Sequence, residues 1–315
     1  MKCKCGNKGI FFRRYEGRYY CKKCFIYNIE KKFRSVVNRN KLIKKNDKIA
    51  VGLSGGKDSS VLLYLLFQLK NKLKGFDVFA LTIDEGINDY RNKGLIFAKK
   101  LTKKFGIKHY IFSFKNEFGF TLDELTKNKI KSCTYCGVLR RYILNKKARE
   151  LGANKLAVGH NLDDEAQSII LNFIRGDLLR FQRLGAFPII LEDKKFVSRI
   201  KPLRDIPEKE ITAYAILKNI KFFDGECPYS FDNMRRDLQT LLNNLEEKYP
   251  GTKLQIVNFY DRIKPFISKK ESEKIDYCIK CGEPSSLRIC KACELLEKIN
   301  SSQIKAHKGI IKTPT

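Results

Sequence analysis

The cysteines of this chain fall into three separate groups, and this grouping restricts the possible folds more than any other feature. Eleven cysteines occur in 315 residues, four near the N-terminus, three in the middle and four near the C-terminus. The first residues, "MKCKCGNKGIFF", lack the apolar segment of a secretory signal, so we expect a cytoplasmic protein. In that compartment, grouped cysteines bind metals or act in catalysis more often than they form disulfides.

The two outer groups have the spacing of structural zinc sites. The first combines Cys-x-Cys with Cys-x-x-Cys around "GIFFRRYEGRYY", which predicts a small hairpin, and the second has two Cys-x-x-Cys pairs. Four thiolates without a histidine or a carboxylate suit a closed tetrahedral Zn²⁺ site, and rubredoxin-like iron is the alternative. The predicted ligands are Cys3, Cys5, Cys21 and Cys24 for one Zn²⁺, and Cys278, Cys281, Cys290 and Cys293 for the other.

The chain carries a large excess of positive charge. Sixty-four Lys and Arg residues against 34 Asp and Glu residues give a net charge of +30. Such an excess favours a polyanionic partner such as nucleic acid, although a generally lysine-rich composition would also produce it. Residues 27–46 are basic with apolar residues at helical intervals, which predicts either a solvated surface helix or one that faces RNA phosphates. No segment is long and apolar enough for a membrane span, so we expect no membrane association.

The middle of the chain alternates short apolar stretches with amphipathic ones. Strands are predicted at "KIAVGL" (48–53), "FDVFALTID" (76–84), "KHYIFSF" (108–114) and "KLAVGH" (155–160), with helices near 58–70, 90–105 and 137–151 and from Asp163 onward. This alternation predicts an α/β fold with a doubly wound parallel sheet, followed by a helical region over about 207–265. The segments "SGGKDSS", "IDEG" and "GHNLDDEA" each follow a strand, so they should meet in one crevice at the carboxyl edge of the sheet.

The segment "SGGKDSS" is glycine-rich but is not a Walker A loop, because only three residues separate Gly52 from Gly56. The backbone from Ser54 to Gly56 can still form an anion-binding nest at the start of a helix. Lys57 adds a positive charge, and the Asp58 carboxylate is suited to Mg²⁺ that bridges phosphates. The alternative is an ordinary glycine turn with an aspartate that caps the helix.

These segments together resemble a known enzyme family. "SGGKDSS" after an apolar strand resembles the PP-loop of N-type ATP pyrophosphatases, and "GHNLDDEAQSIILNFIRG" (159–176) resembles a second motif of their tRNA-modifying branch. With "CTYCGVLRR" (133–141), "GECPY" (225–229) and two terminal zinc fingers, nearly the whole chain resembles the TtuA-type tRNA 2-thiouridine synthetases of the TtcA/TtuA group. The resemblance implies a PP-loop ATPase fold, of the adenine nucleotide alpha hydrolase-like type, with zinc modules at both termini.

The resemblance also assigns the three central cysteines. It implies that Cys133, Cys136 and Cys227 hold a [4Fe–4S] cluster through three irons and leave the fourth iron open to sulfide. The residues themselves agree with an unfilled coordination position, because only three thiols are present. Persulfide or disulfide chemistry, a three-cysteine zinc site and inert buried cysteines are the alternatives.

The resemblance implies an ATP site and several catalytic residues. Asp164 would lie near the uridine or the phosphates, although the acids of "NLDDE" could simply favour a helix N-terminus that Asn161 or Asp163 caps. Arg140 stands where the family has a catalytic lysine, and since arginine does not lose its proton, we expect electrostatic stabilisation there. The predicted ATP-binding residues are Leu53, Ser54, Gly55, Gly56, Lys57, Asp58, Ser59, Asp84, Gly159, His160 and Asp164. The predicted catalytic residues are Asp58, Asp164, Arg140, Cys133, Cys136 and Cys227.

The implied reaction is the ATP-dependent 2-thiolation of a tRNA uridine. Uridine O2 attacks the α-phosphate of Mg·ATP, pyrophosphate leaves, and sulfur from the cluster displaces AMP to give 2-thiouridine. The expected cofactors are ATP, Mg²⁺, one [4Fe–4S] cluster and two Zn²⁺. The expected partners are tRNA, a sulfur donor that is either a ubiquitin-like thiocarboxylate protein or sulfide, and a second copy of the chain. A 2-thiocytidine synthetase of the sister branch and a zinc-ribbon RNA-binding protein with a degenerate ATP site are the alternatives.

We divide the chain into five parts on this basis. Residues 1–26 form an N-terminal zinc finger and 27–47 a basic linker helix. Residues 48–206 form the PP-loop domain, which the helical residues 207–270 complete. Residues 271–315 hold the C-terminal zinc finger and a basic tail, "SSQIKAHKGIIKTPT", that we expect to be mobile.

Overall fold

The computed structural model describes residues 1–127, 132–186, 195, 197–230, 234–267 and 276–308. Within these residues, a five-stranded sheet has helices on both faces, and small two-stranded hairpins lie near both ends of the chain. No helix in these ranges has the length and apolar character needed to cross a membrane. The domain boundaries drawn from the sequence stay predictions.

The N-terminal module is the expected hairpin followed by a long helix. Strands β1 (Phe11–Arg13) and β2 (Arg18–Tyr20) pair in antiparallel fashion, as predicted. Helix α1 (Lys22–Arg39) begins directly after Cys21 and therefore contains the fourth cysteine of the first group. It ends well before residue 46, and it is not fully solvated, because Phe25, Ile29 and Phe33 and their neighbours are buried in the main core.

The central sheet confirms the predicted α/β class. Strands β3 (Lys48–Gly52), β4 (Asp77–Asp84), β5 (His109–Ser113), β6 (Lys155–Ala157) and β7 (Ser198–Ile200) lie in the order β5-β4-β3-β6-β7. All neighbouring pairs are parallel. Because β3 has β4 on one side and β6 on the other, the chain reverses its direction of winding at β3. Ligands of such sheets bind at this switch point, beyond the carboxyl ends of the strands.

Helices connect the strands and close the faces of the sheet. The connecting helices are α2 (Lys57–Leu73), α3 (Arg91–Phe105), α4 (Phe114–Phe118), α5 (Leu122–Lys127), α6 (Ser132–Glu150), α7 (Leu162–Ile174) and α8 (Leu178–Gln182). The predicted helices at 58–70, 90–105 and 137–151 correspond to α2, α3 and α6. Helix α2 is buried along most of its length, as expected for an element between a sheet and a second helical layer.

The helical region and the C-terminal module complete the fold. They contain α9 (Glu208–Leu217), α10 (Met234–Lys248), α11 (Thr252–Ile267), β8 (Asp276–Tyr277), β9 (Pro284–Ser285) and α12 (Lys291–Lys308). Helix α12 continues through "SSQIKAHK", the first part of the basic tail, and the expectation that this tail is mobile stays a prediction. The rest of that tail, residues 309–315, lies outside the described residues. Polar composition concealed the helix, which continues from the apolar face formed by Ala292, Leu295 and Ile299.

Candidate active site at the carboxyl edge of the sheet

The three segments that follow β3, β4 and β6 meet at one edge of the sheet, as predicted. The Asn161 side chain, in the segment after β6, donates a 3.0 Å hydrogen bond to Asp58 Oδ1 in the segment after β3. Gly159 lies so close to α2 that an added Cβ would be 3.0 Å from the backbone of Asp58 and Ser59. A side chain at residue 159 would therefore push the two segments apart.

The glycine-rich loop is ordered by its own serines. The Ser54 amide donates to Ser59 Oγ at 3.1 Å, and the Gly56 amide donates to Ser54 Oγ at 3.2 Å. Gly55 has a φ of +87°, and an added Cβ would lie 2.0 Å from the Gly94 carbonyl oxygen in α3. No side chain caps α2, whose N-cap is Gly56, so its first amides remain available to an anion.

Lys57 and Asp58 follow the loop and form ion pairs in the crevice. Lys57 Nζ lies 3.4 Å from Asp58 Oδ2 and 2.6 Å from Glu208 Oε1 at the start of α9. Burial disfavours the ammonium, but the two carboxylates outweigh this effect and raise the pKa of Lys57. Burial raises the pKa of Asp58, which Lys57 and Asn161 only partly oppose. A divalent cation at Asp58 would favour its ionised form.

The segment after β3 is also held against β4. Leu53 is buried, its amide donates to the Leu81 carbonyl at 2.9 Å, and its own carbonyl accepts the Thr82 hydroxyl at 2.5 Å. The Asp84 carboxylate at the end of β4 accepts the Gly86 amide at 2.9 Å, which forms a tight turn beside the crevice. Asp84 is half-buried and therefore still reaches solvent.

Three charged residues link this region to helix α6. Glu85 is buried between two arginines, with Oε2 3.0 Å from Arg91 Nε and Oε1 3.2 Å from Arg140 Nη1. Arg91 also donates to the Ser54 carbonyl at 2.9 Å. Burial disfavours the charged form of Arg140, but Glu85 and Cys136 outweigh this effect and raise the pKa of Arg140. Arg140 is thus a permanent cation between Glu85 and a cysteine of the central group.

His160 and Asp164 lie in the segment after β6. His160 reaches solvent but is surrounded by protein, and this desolvation, with Lys201 nearby, lowers its pKa to about 3. The helix-capping alternative is confirmed for Asn161, whose side chain accepts the Asp164 amide while Asp164 Oδ2 accepts the Asn161 amide. The other oxygen, Asp164 Oδ1, lies 3.1 Å from Arg235 Nη2, so the cap occupies only part of this carboxylate.

The three central cysteines come from two segments and share one environment. Cys133 and Cys136 lie in the first turns of α6, and Cys227 lies in the loop that precedes α10. Cys133 Sγ donates to the Tyr229 carbonyl at 2.8 Å, two residues beyond Cys227. Burial raises the pKa of Cys136 to about 11, opposed by Arg140, and burial followed by the charge of Cys133 raises that of Cys227. The three sulfurs do not form a set as compact as those of the outer cysteine groups.

The loop that carries Cys227 is attached to the glycine-rich loop. The Phe223 amide donates a 2.8 Å hydrogen bond to the Gly55 carbonyl. The Phe223 ring lies against Tyr90, with centroids 5.5 Å apart, at the start of α3. The loop that carries Cys227 therefore lies next to the glycine-rich loop.

The two outer cysteine groups form compact sets, as predicted. In each, four thiol sulfurs lie within 4.8 Å of one another, and in the described part of the chain no other set of metal-ligating side chains is this compact. The Asn7 backbone and neighbouring thiols lower the pKa of Cys5 to about 6. Burial acts to raise the pKa of Cys278, but backbone amides including that of Cys290 outweigh burial and lower this pKa to about 6. Thiolates are the metal-binding form of cysteine, so both sets fit Zn²⁺.

The sequence reasoning missed several residues of the crevice. Glu85, Arg91, Glu208 and Phe223 contact predicted site residues but were not predicted themselves. Glu85 had a visible signal, because it directly follows Asp84 at the end of a strand that faces the crevice. Glu208, Arg91 and Phe223 had none, since their positions depend on how α9, α3 and the cysteine loop pack.

Comparisons with known proteins agree with this architecture. A family model described as a PP-loop domain matches residues 26–245. The tRNA-5-methyluridine(54) 2-sulfurtransferase of Pyrococcus horikoshii is 36% identical, over 93% of each chain. The cytoplasmic tRNA 2-thiolation protein 1 of Xenopus laevis is 34% identical, over 95% of this chain and 89% of the relative. The structure of the U34-tRNA thiolase NcsA from Methanococcus maripaludis with its [4Fe-4S] cluster is 38% identical with a TM-score of 0.82, over 95% of this chain and 96% of that chain.

Proposed function

The chain belongs to the PP-loop family of tRNA 2-thiolation proteins, and we propose that it is an ATP-dependent tRNA-uridine 2-sulfurtransferase. One observation carries the proposal. The glycine-rich loop and the loop of Cys227 are joined by the hydrogen bond from Phe223 to Gly55, which supports a shared crevice for the proposed ATP site and the proposed three-cysteine site. A protein that only binds RNA would not need this arrangement.

The residues around the glycine-rich loop would bind ATP and stabilise the leaving pyrophosphate. The uncapped amides of α2 and the Lys57 ammonium supply positive potential for the phosphates. Asp58 would hold Mg²⁺, which would neutralise the phosphate oxygens when bound. Leu53, Asp84 and His160 would line the nucleoside part of the site, with Ser54 and Ser59 holding the loop in shape.

The three central cysteines would hold the [4Fe–4S] cluster. Three thiols from α6 and from the loop before α10 would leave one iron of such a cluster open, beside the permanent cation of Arg140. When bound, the cluster would supply the sulfur that replaces uridine O2. The related thiolase from Methanococcus maripaludis contains such a cluster, which supports the assignment.

Arg140 and Asp164 would act on the reacting base from two sides of the crevice. Arg140 would stabilise the negative charge that develops when O2 attacks the α-phosphate, because a guanidinium keeps its proton. Asp164 is held by the helix cap and by Arg235, so its carboxylate is positioned before the substrate arrives. Both would orient the uridine rather than form covalent bonds with it.

The remaining partners follow from the charge and the family. The net charge of +30 and the two zinc modules would bind the tRNA backbone, and the name of the Xenopus laevis relative supports a cytoplasmic location. The sulfur donor would be a ubiquitin-like thiocarboxylate protein or sulfide. We expect a homodimer, as the family resemblance implies. The names of relatives cover uridines 34 and 54, and either position fits the crevice chemistry described above.

The test is nucleoside mass spectrometry of tRNA incubated anaerobically with the cluster-loaded protein, Mg·ATP and sulfide. We expect 2-thiouridine that requires ATP and is lost in Cys227→Ala. A 2-thiocytidine product would assign the chain to the sister branch instead. Absence of both thiolation and pyrophosphate release, with intact tRNA binding, would support the RNA-binding alternative. Nuclease fragments of the product tRNA then identify the modified uridine.

A further inference from the structure

Two arginines lie on elements next to the crevice and have no acidic partner among the residues that the structure describes. Arg141 follows Arg140 on α6, and Arg199 lies in the edge strand β7. Arg199 Nη2 is 3.3 Å from the Arg141 carbonyl oxygen, which brings the two residues together. Within the described residues, neither guanidinium forms an ion pair with a carboxylate.

The surroundings of this pair are also cationic. Burial, followed by the charges of Arg141 and Arg140, lowers the pKa of Arg199 to about 10. Burial, Arg140 and Arg180 lower the pKa of Arg141. Clustered guanidiniums repel one another, so this arrangement costs free energy unless an anion binds between them.

The position of the pair limits which anion that is. Arg141 follows the proposed catalytic Arg140, and Arg199 pairs with Leu156 of β6. The segment after this strand carries His160, three residues after β6 and four before Asp164. A uridine that reacts between Asp164 and the cysteines must bring its flanking phosphates into this part of the crevice. The ATP phosphates have a separate set of donors at α2 and Lys57.

We propose that Arg141 and Arg199 form a binding site for a phosphodiester group of the RNA substrate next to the reacting uridine. This inference rests on the proposed function and adds how the target nucleotide is held. Two planar guanidiniums can each donate two hydrogen bonds to a phosphate, which positions the nucleotide without reading its base.

The test compares tRNA binding with ATP binding in Arg141→Gln and Arg199→Gln. Lys103→Gln is the matched control, because Lys103 is exposed in the last turn of α3. This helix ends near the amino ends of the strands, on the side of the sheet away from the crevice. We expect each arginine variant to weaken tRNA binding about tenfold and to reduce the slope of log affinity against log salt by about one. ATP binding without tRNA should stay unchanged, which also shows that the variants fold.

A second measurement locates the phosphate. A neutral methylphosphonate placed beside the thiolated uridine should weaken binding to the wild type but not to Arg199→Gln, because the contact is already lost. An equal loss of affinity for the methylphosphonate tRNA in the wild type and in Arg199→Gln would overturn the inference. So would arginine variants that bind unmodified tRNA as tightly as Lys103→Gln does. A matching loss of ATP binding in the arginine variants would show that the two arginines bind the triphosphate, which would also overturn the inference. Failure of the wild type to bind tRNA would instead contradict the proposed function.

Discussion

The amide of Phe223 donates a 2.8 Å hydrogen bond to the carbonyl oxygen of Gly55. This bond joins the loop of Cys227 to the loop proposed to bind ATP, although the two residues are far apart in the chain. The same glycine packs against α3, where an added Cβ would lie 2.0 Å from the Gly94 carbonyl oxygen. The position of Gly55 therefore affects both halves of the proposed reaction.

Gly55→Ala should abolish ATP binding and weaken cluster retention. The new methyl group would collide with α3, and alanine disfavours the φ of +87° found here. Gly52→Ala is the control, because its added Cβ would meet its nearest atom at an ordinary 3.8 Å. Calorimetry and iron analysis measure the two effects. Normal ATP binding by Gly55→Ala would contradict the close packing.

Arg140→Met should lower the single-turnover rate of thiolation about a hundredfold, because it removes a positioned positive charge. Arg140→Lys should retain activity within about tenfold, since lysine keeps the charge but not the geometry of the guanidinium. Arg91 remains beside Glu85 in both variants, so the fold should hold. Equal rates for the methionine and lysine variants would argue against electrostatic stabilisation.

Metal analysis should separate the three cysteine groups. Cys227→Ser should lose iron and keep zinc, whereas Cys5→Ser should lose about half of the zinc and keep iron, since the two outer sets are separate four-thiol sites. Elemental analysis of anaerobically purified protein measures both metals. Loss of iron from Cys5→Ser, or iron in place of zinc in the outer sets, would contradict the assignment.

The first hairpin should depend on one buried ion pair. Arg13 is fully buried and donates to both oxygens of Glu210, at 2.9 and 2.7 Å. Glu210→Gln should reduce the free energy of unfolding by about 1.5–3 kcal/mol, because two hydrogen bonds of the buried Arg13 lose their charged acceptor while Glu16 Oε1 remains 3.1 Å from Arg13 Nη1. The exposed pair of Lys70 and Asp77 offers a control, and Asp77→Asn should cost at most about 1 kcal/mol.

Chemical denaturation followed by circular dichroism measures these changes. The double variant Arg13→Met with Glu210→Met should be more stable than Glu210→Gln, since the buried guanidinium that has lost its main partner is then removed as well. A double variant that is less stable than the single one would show that the hairpin needs the hydrogen bonds themselves.

Local patterns predicted most of the fold and the loops of the site. Glycine and apolar strand residues determine the segment from Ser54 to Gly56, and four close cysteines determine each outer set, so both were visible in the sequence. The short edge strand β7 was missed because three residues, Ser198–Ile200, carry no detectable period.

Contacts between distant parts of the chain were not visible in this way. The buried Asp163 accepts a 2.7 Å hydrogen bond from the Glu208 amide, which fixes the start of α9. The Glu208 side chain therefore reaches Lys57. Such a contact depends on the packing of α7 against α9 and not on any motif. Arg199 was hidden for the same reason, because its partner Arg141 lies on a different element.

The C-terminal cysteine set packs directly on the helix that carries Cys133 and Cys136. Buried Cys278 and Ile299 share a core with Leu139 and Ile143 of α6, and Glu283 forms an ion pair with Arg149 near the end of that helix. The ribosome completes this set only after the whole catalytic region has been made. The helix that bears Cys133 and Cys136 therefore gains this support only late in synthesis, when the C-terminal residues have been added.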